Sequence, residues 1–140
     1  FASQAWKPII YMPDDLSDIT LMALRRLANF CVVSSLHDGM NLVAKEYVAS
    51  RFDEDGVLIL SPFTGAAQEL TEAIIVNPYA TEHFADVIMD AVEMPYAERH
   101  SRMVSMRATV RENNIYKWAA RLMVDLTHAA RRSRRPLYSF

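Results

Sequence analysis

The stretch Cys31-Val-Val-Ser-Ser-Leu-His-Asp-Gly-Met-Asn-Leu-Val-Ala-Lys-Glu-Tyr-Val-Ala-Ser50 changes period in its middle. Up to Ser34 it is a β-branched apolar run. From Asn41 the apolar residues recur at helical spacing, with His37-Asp38-Gly39-Met40 as the turn between. A strand that hands over directly to a helix belongs to an α/β unit, and ligands in such units sit beyond the carboxyl ends of the strands. Gly39 is expected to let the backbone take conformations closed to other residues and to let a ligand come close. The first turn of the helix offers unpaired amides, Leu42 and Val43 among them, and its dipole favours an anion such as phosphate.

Working outward, Lys7-Pro8-Ile9-Ile10-Tyr11-Met12 reads as a first buried strand. Pro13 to Asp18 supplies turn and cap chemistry for a helix whose apolar stripe is Ile19, Leu21, Met22, Leu24 and Leu27. Phe30–Ser34, Val57–Ser61 and Ala73–Val76 read as further strands, the second apolar throughout, as in a parallel sheet covered on both faces. Helices are expected over 41–51, briefly after Thr64-Gly65, and over 81–94, 96–112 and 114–132. The fold class is therefore α/β, a Rossmann-like parallel sheet flanked by helices with a helical C-terminal segment. Two units are expected: 1–112, which carries the sheet, and 113–140, a helix and basic tail.

Composition narrows the function classes. The chain has 140 residues, is 51% hydrophobic and carries a formal net charge of −2, which gives one core and no basic field for nucleic acid. Arg131, Arg132, Arg134 and Arg135 crowd one end only. No apolar run approaches the roughly 18 residues of a membrane span, so a cytoplasmic protein is expected. The single cysteine, Cys31, fits a reducing compartment and reads as a small core hydrophobe.

Within the turn, Asp38 either caps the helix or accepts hydrogen bonds from a sugar. Glu46, a turn further along, either receives sugar hydroxyls beside a phosphate or is a helix surface charge. Lys45 points about 100° away from Glu46 and reads as solvated. His37 reads as a polar loop residue, and no spacing suggests a metal site. A second strand end, Ser61 to Glu69, faces the same side of the sheet, and its Thr64 is expected to cap the short helix or line the cleft.

In order and spacing, HDGMNLVAKEYVAS, SPFTGAAQEL, VNPY and RENNIYKWAARLM resemble the C-terminal half of trehalose-6-phosphate synthases, the retaining glycosyltransferases of family 20. The resemblance runs from about Trp6 to Leu126. It departs at His37, where the family commonly has arginine, and at Ala28-Asn29, where it has Ala-Asp. It implies the C-terminal, donor-binding domain of a GT-B enzyme that moves glucose from a nucleotide-diphosphate sugar, UDP-glucose first, to glucose 6-phosphate. Carried over by residue, Asp38, Gly39, Met40 and Asn41 would meet the donor sugar, the amides of Leu42 and Val43 the diphosphate, and Glu46 the ribose. No catalytic residue, metal or cofactor is assigned. Glucose 6-phosphate would be bound through a missing N-terminal domain, so this chain alone is expected not to catalyse transfer. Nucleic acid and membrane are not expected partners, and self-association is left open. The alternative is a nucleotide-sugar-binding or regulatory module without transferase activity.

Overall fold

The computed structural model describes residues 6–133, with side chains as far as residue 130. Its elements run α1 (Asp18–Leu27), β1 (Phe30–Val33), α2 (Leu42–Ser50), β2 (Val57–Leu60), a 3-10 turn (Gly65–Gln68), β3 (Ile74–Ile75), α3 (Thr81–Glu93), α4 (Tyr96–Glu112) and α5 (Ile115–Ser133). The three strands form a parallel sheet in the order β1-β2-β3, with Phe30 beside Val57 and Ile59 beside Ile74.

Strand β2 organises the core because all four of its residues are buried. Successive side chains alternate between faces. Leu58 and Leu60 join Tyr47 and Val48 of α2 and Met103 and Met106 of α4 on one side. Val57 and Ile59 join Val76 and, from α3, Val87 and Ala91 on the other. A fully apolar strand is thus what a sheet covered on both faces requires.

Polar side chains tie this core to its connections. Tyr47 places its hydroxyl 3.2 Å from the carbonyls of Ala28 and Asn29. Arg51, 3% exposed, donates to the carbonyls of Asp55 at 2.5 Å, Arg26 at 2.7 Å and Ala28 at 2.6 Å, and to the Asp53 carboxylate at 2.8 Å. Arg107 reaches from α4 to the carbonyls of Val48 and Ala49 at the end of α2, the first of which also accepts the Arg51 amide.

At the N-terminal side one sequence expectation fails and another holds without burial. Lys7–Met12 forms no strand, and Ile9 and Ile10 are 79% and 76% exposed. Helix α1 forms, capped by the Ser17 hydroxyl and with Arg25 and Arg26 in its last turn, but it has no buried residue. Ile19, Met22, Leu24 and Leu27 of its stripe all face outward. Both outcomes share one cause. The described sheet is β1-β2-β3, and a parallel sheet buried on both faces needs neighbours beyond its edge strand and over its helices. The neighbours that would bury Lys7–Met12 and cover α1 are not supplied by the described residues.

The other boundaries agree to within a residue or two, the ordinary uncertainty of element ends. Ala73–Val76 shortens to a two-residue ladder, yet the Val76 amide still donates to Leu60 at 3.0 Å. Helix α5 starts on the Asn114 side chain, which accepts from the amides of Tyr116 and Lys117, both at 3.1 Å. Its Trp118, Leu122 and Leu126 are exposed. Of the arginine cluster, residues 134 and 135 and the side chains of 131 and 132 lie outside what the structure describes. Among the described residues no helix is long and apolar enough to cross a membrane.

Candidate functional site

The turn after β1 and the turn after β2 are joined by backbone. Asp38 donates its amide to the Phe63 carbonyl at 3.1 Å, and Gly65 donates to the Asp38 carbonyl at 3.0 Å, a parallel bridge between Asp38 and Thr64. The sequence expectation that the two strand ends face the same side holds. Their closeness falls on Gly65, where any Cβ would land on the Gly39 carbonyl oxygen. Thr64 neither caps the short helix nor lines a cleft. It is buried and donates its hydroxyl to the Ser61 carbonyl at 3.0 Å.

Asp38 does not cap α2. Its Oδ1 accepts from the amides of Met40 at 3.0 Å and Asn41 at 2.9 Å, while Oδ2 accepts from the Asn41 side-chain nitrogen at 3.0 Å. These donors, the Met40 amide foremost, hold its carboxyl below the usual carboxylate value, so it is anionic at neutral pH. The cap is Asn41. It is buried, lies at φ 64° and ψ 83°, and accepts the Ala44 amide at 2.9 Å. Asparagine is among the few residues other than glycine that tolerate this left-handed conformation.

Gly39 is not left-handed, and a Cβ built on it would meet nothing within 4 Å. The expectation of a special backbone conformation at Gly39 is corrected: that conformation belongs to Asn41. What remains for Gly39 is an open face. Above it, the helix start has four orphan donors in principle. Asn41 takes that of Ala44, and among the described residues no acceptor meets the amides of Leu42 and Val43. Both residues are exposed, as is Met40.

Glu46 stands one turn below Leu42 and Val43 on the same face of α2. It is exposed, and its Oε2 pairs with Arg25 of α1 at 2.5 Å, a partner that no local pattern in the sequence announces. Lys45 is not solvated. Its ammonium, on a side chain only 18% exposed, pairs with Glu69 at 2.7 Å, and the other oxygen of Glu69 accepts from Asn113 at 3.2 Å. Beside this chain lies a groove of about 440 Å³ between the start of α2 and the α4–α5 junction, with Met40, Leu42, Val110, Ile115 and Trp118 on its walls. Periodicity gives a helical face to each of these residues but not which of them meet.

His37 is an exposed loop residue. Cys31 is half-buried rather than fully so, and burial pushes its thiol up to about 11, against the opposing pull of Arg25. Among the described residues no three His, Cys, Asp or Glu side chains gather as metal ligands.

A family model for glycosyltransferase family 20 matches residues 1–128. The chain belongs to that family. A trehalose-6-phosphate synthase of Klebsiella pneumoniae is 46% identical over 134 residues, 95% of this chain and 28% of the relative. Among solved structures, an alpha,alpha-trehalose-phosphate synthase (UDP-forming) of Burkholderia xenovorans in complex with glucose-6-phosphate superposes with a TM-score of 0.85 at 46% identity, over 91% of this chain and 28% of that one. A structure from E. coli bound with UDP-2-fluoro glucose gives a TM-score of 0.83 at 42% identity, over 89% of this chain and 28% of that one. The family-20 chain described here thus spans less than a third of the relatives it matches, and corresponds to part of a synthase domain.

Proposed function

We propose that the chain is the nucleotide-sugar-binding, C-terminal part of a retaining glucosyltransferase that moves glucose from UDP-glucose to glucose 6-phosphate, giving trehalose 6-phosphate. The observation that carries this reading is the pair of unpartnered amides, Leu42 and Val43, opening beside the bare face of Gly39. In the proposed complex the donor sugar lies against Gly39, Met40 and Asn41. Asp38, anionic and already fixed by three loop donors, keeps free lone pairs on its oxygens for sugar hydroxyls. The Leu42 and Val43 amides take the diphosphate, and Glu46 takes the ribose a turn below. Relatives found with UDP-2-fluoro glucose and with glucose-6-phosphate support the choice of substrates.

The chemistry follows from charge. As the bond from the sugar to the diphosphate breaks, negative charge grows on the leaving oxygens, and fixed amides at a helix N-terminus favour that state over the ground state. Asp38 positions the sugar and is not assigned as a nucleophile. The acceptor site is placed in the part of the synthase that this chain does not span, so transfer needs that part too. Residues 1–112 form the proposed donor unit. Residues 113–140 are the proposed packing segment, a role that the exposed stripe Trp118, Leu122 and Leu126 suits.

Titration of the protein with UDP and UDP-glucose, followed by backbone NMR, tests the reading. Shifts concentrated on the amides from Gly39 to Glu46 are the expected result. Absence of binding, or shifts confined to the groove beside Trp118, refutes the placement.

A further inference from the structure

Glu46 needs a fixed orientation to read a ribose. A glutamate on an exposed helix face has three rotatable bonds, and holding it in one rotamer loses entropy that a ligand would otherwise have to overcome. Its environment supplies a hold: Arg25, in the last turn of α1, approaches Oε2 to 2.5 Å. The Arg25 side chain is 22% exposed and that of Glu46 47%, so the cation lies at the edge of the α1–α2 seam and the carboxylate faces out. Among the described residues Arg25 has no other carboxylate partner, and its nearest approach is to one oxygen of Glu46. Glu46 stands on the helix face that carries the Leu42 and Val43 amides a turn above.

We infer that Arg25 is a positioning residue for nucleotide recognition: by pairing with one oxygen of Glu46 it presents the other to the sugar hydroxyls of a nucleoside diphosphate. The inference rests on the proposed ribose role of Glu46, and it makes α1 part of the donor site. It also separates two components of nucleotide affinity. The diphosphate is held by backbone amides that Arg25 does not touch, whereas recognition of the ribose hydroxyls passes through the ion pair.

The experiment is a calorimetric titration of the protein, and of its Arg25→Ala, Arg25→Lys and Glu46→Gln variants, with three probes: UDP, 2′,3′-dideoxyuridine diphosphate and inorganic pyrophosphate. The parent is expected to prefer UDP over the dideoxy analogue by tenfold or more. Arg25→Ala should bring that preference to threefold or less with pyrophosphate affinity unchanged, and Arg25→Lys should restore part of it. A purely structural role for Arg25 would lower all three affinities together, and that result overturns the inference. If Glu46→Gln abolishes the preference while Arg25→Ala retains it, the inference falls and the ribose reading stands. If neither variant alters the preference, or the parent shows none, the ribose reading falls and takes the inference with it.

Discussion

Gly39 and Gly65 face each other across the junction of the two turns, and adding one methyl group to either should have opposite effects. A Cβ on Gly65 would strike the Gly39 carbonyl oxygen and lie 3.0 Å from its carbon and 3.3 Å from the Met40 Cα. All three atoms are backbone, so no side chain can rotate out of the way. Restoring ordinary contact requires the turns to part by about 1 Å. That stretches the bonds from Asp38 to Phe63 and from Gly65 to Asp38, now 3.1 and 3.0 Å, beyond the range in which they hold. Two such bonds contribute about 1–3 kcal/mol together. Gly→Ala returns about 0.4–1 kcal/mol by restricting the unfolded chain. Gly65→Ala should therefore lose about 1–2 kcal/mol, read as a lower urea midpoint by circular dichroism. Gly39→Ala, whose methyl enters open space at an ordinary φ, should unfold at the parent midpoint or above, yet bind UDP-glucose more weakly because the methyl occupies the face proposed for the sugar. Equal midpoints for Gly65→Ala and the parent, or a Gly39→Ala variant destabilised as much as Gly65→Ala, would refute the account of this junction.

Glu46→Ala should weaken UDP binding by about 1–2 kcal/mol, the lower part of the range for a hydrogen bond to a charged group because the carboxylate is exposed; an unchanged dissociation constant by calorimetry removes Glu46 from the site. Arg51→Leu leaves the Arg26 and Asp55 carbonyls without their buried donor, while Ala28 keeps the Tyr47 hydroxyl and the exposed Asp53 carboxylate turns to water, so a loss of about 2–4 kcal/mol is expected in urea unfolding. A variant within 1 kcal/mol of the parent (about the worth of one hydrogen bond) would contradict that role. The hydrogen-bonded Arg99 guanidinium holds the Asp55 carboxyl below its ordinary 3.8. The stabilisation from this pair is accordingly complete above that value and is lost as the pH falls through the lower folded one. Asp55→Asn should flatten that acid limb, as checked by urea midpoints between neutral pH and pH 3.

What the sequence discloses and what it hides divide along the distance between interacting residues. The period change at His37 to Asn41, the apolar run Val57–Leu60 and the proline before Tyr96 are local signals, and they mark β1, α2, β2 and α4 with little error. Lys7–Met12 carries an equally good strand signal and forms none, because a strand is completed by neighbours rather than by its own composition. The same division runs through the candidate site. The strand-to-helix turn through Asp38 and Gly39 is legible from the change of period. That Asn41 rather than Asp38 caps α2 depends on a backbone dihedral, and that Lys45 meets Glu69 and Glu46 meets Arg25 depends on how α2 packs against other elements. Sequence spacing shows which residues share a helix face and leaves open what stands opposite that face.

The backbone bridge from Asp38 to Thr64 extends beyond the end of the sheet and fastens the turn after β1 to the turn that follows the fully buried strand β2. With Asp38 and Asn41 closing the turn from inside, its conformation is set before any ligand arrives. The nucleotide sugar proposed to bind here would then have little chain to order, and a larger share of each contact would appear as affinity. The amides of Asp38 and Gly65 should accordingly exchange with solvent deuterium on the timescale of core opening, unlike those of an ordinary surface loop.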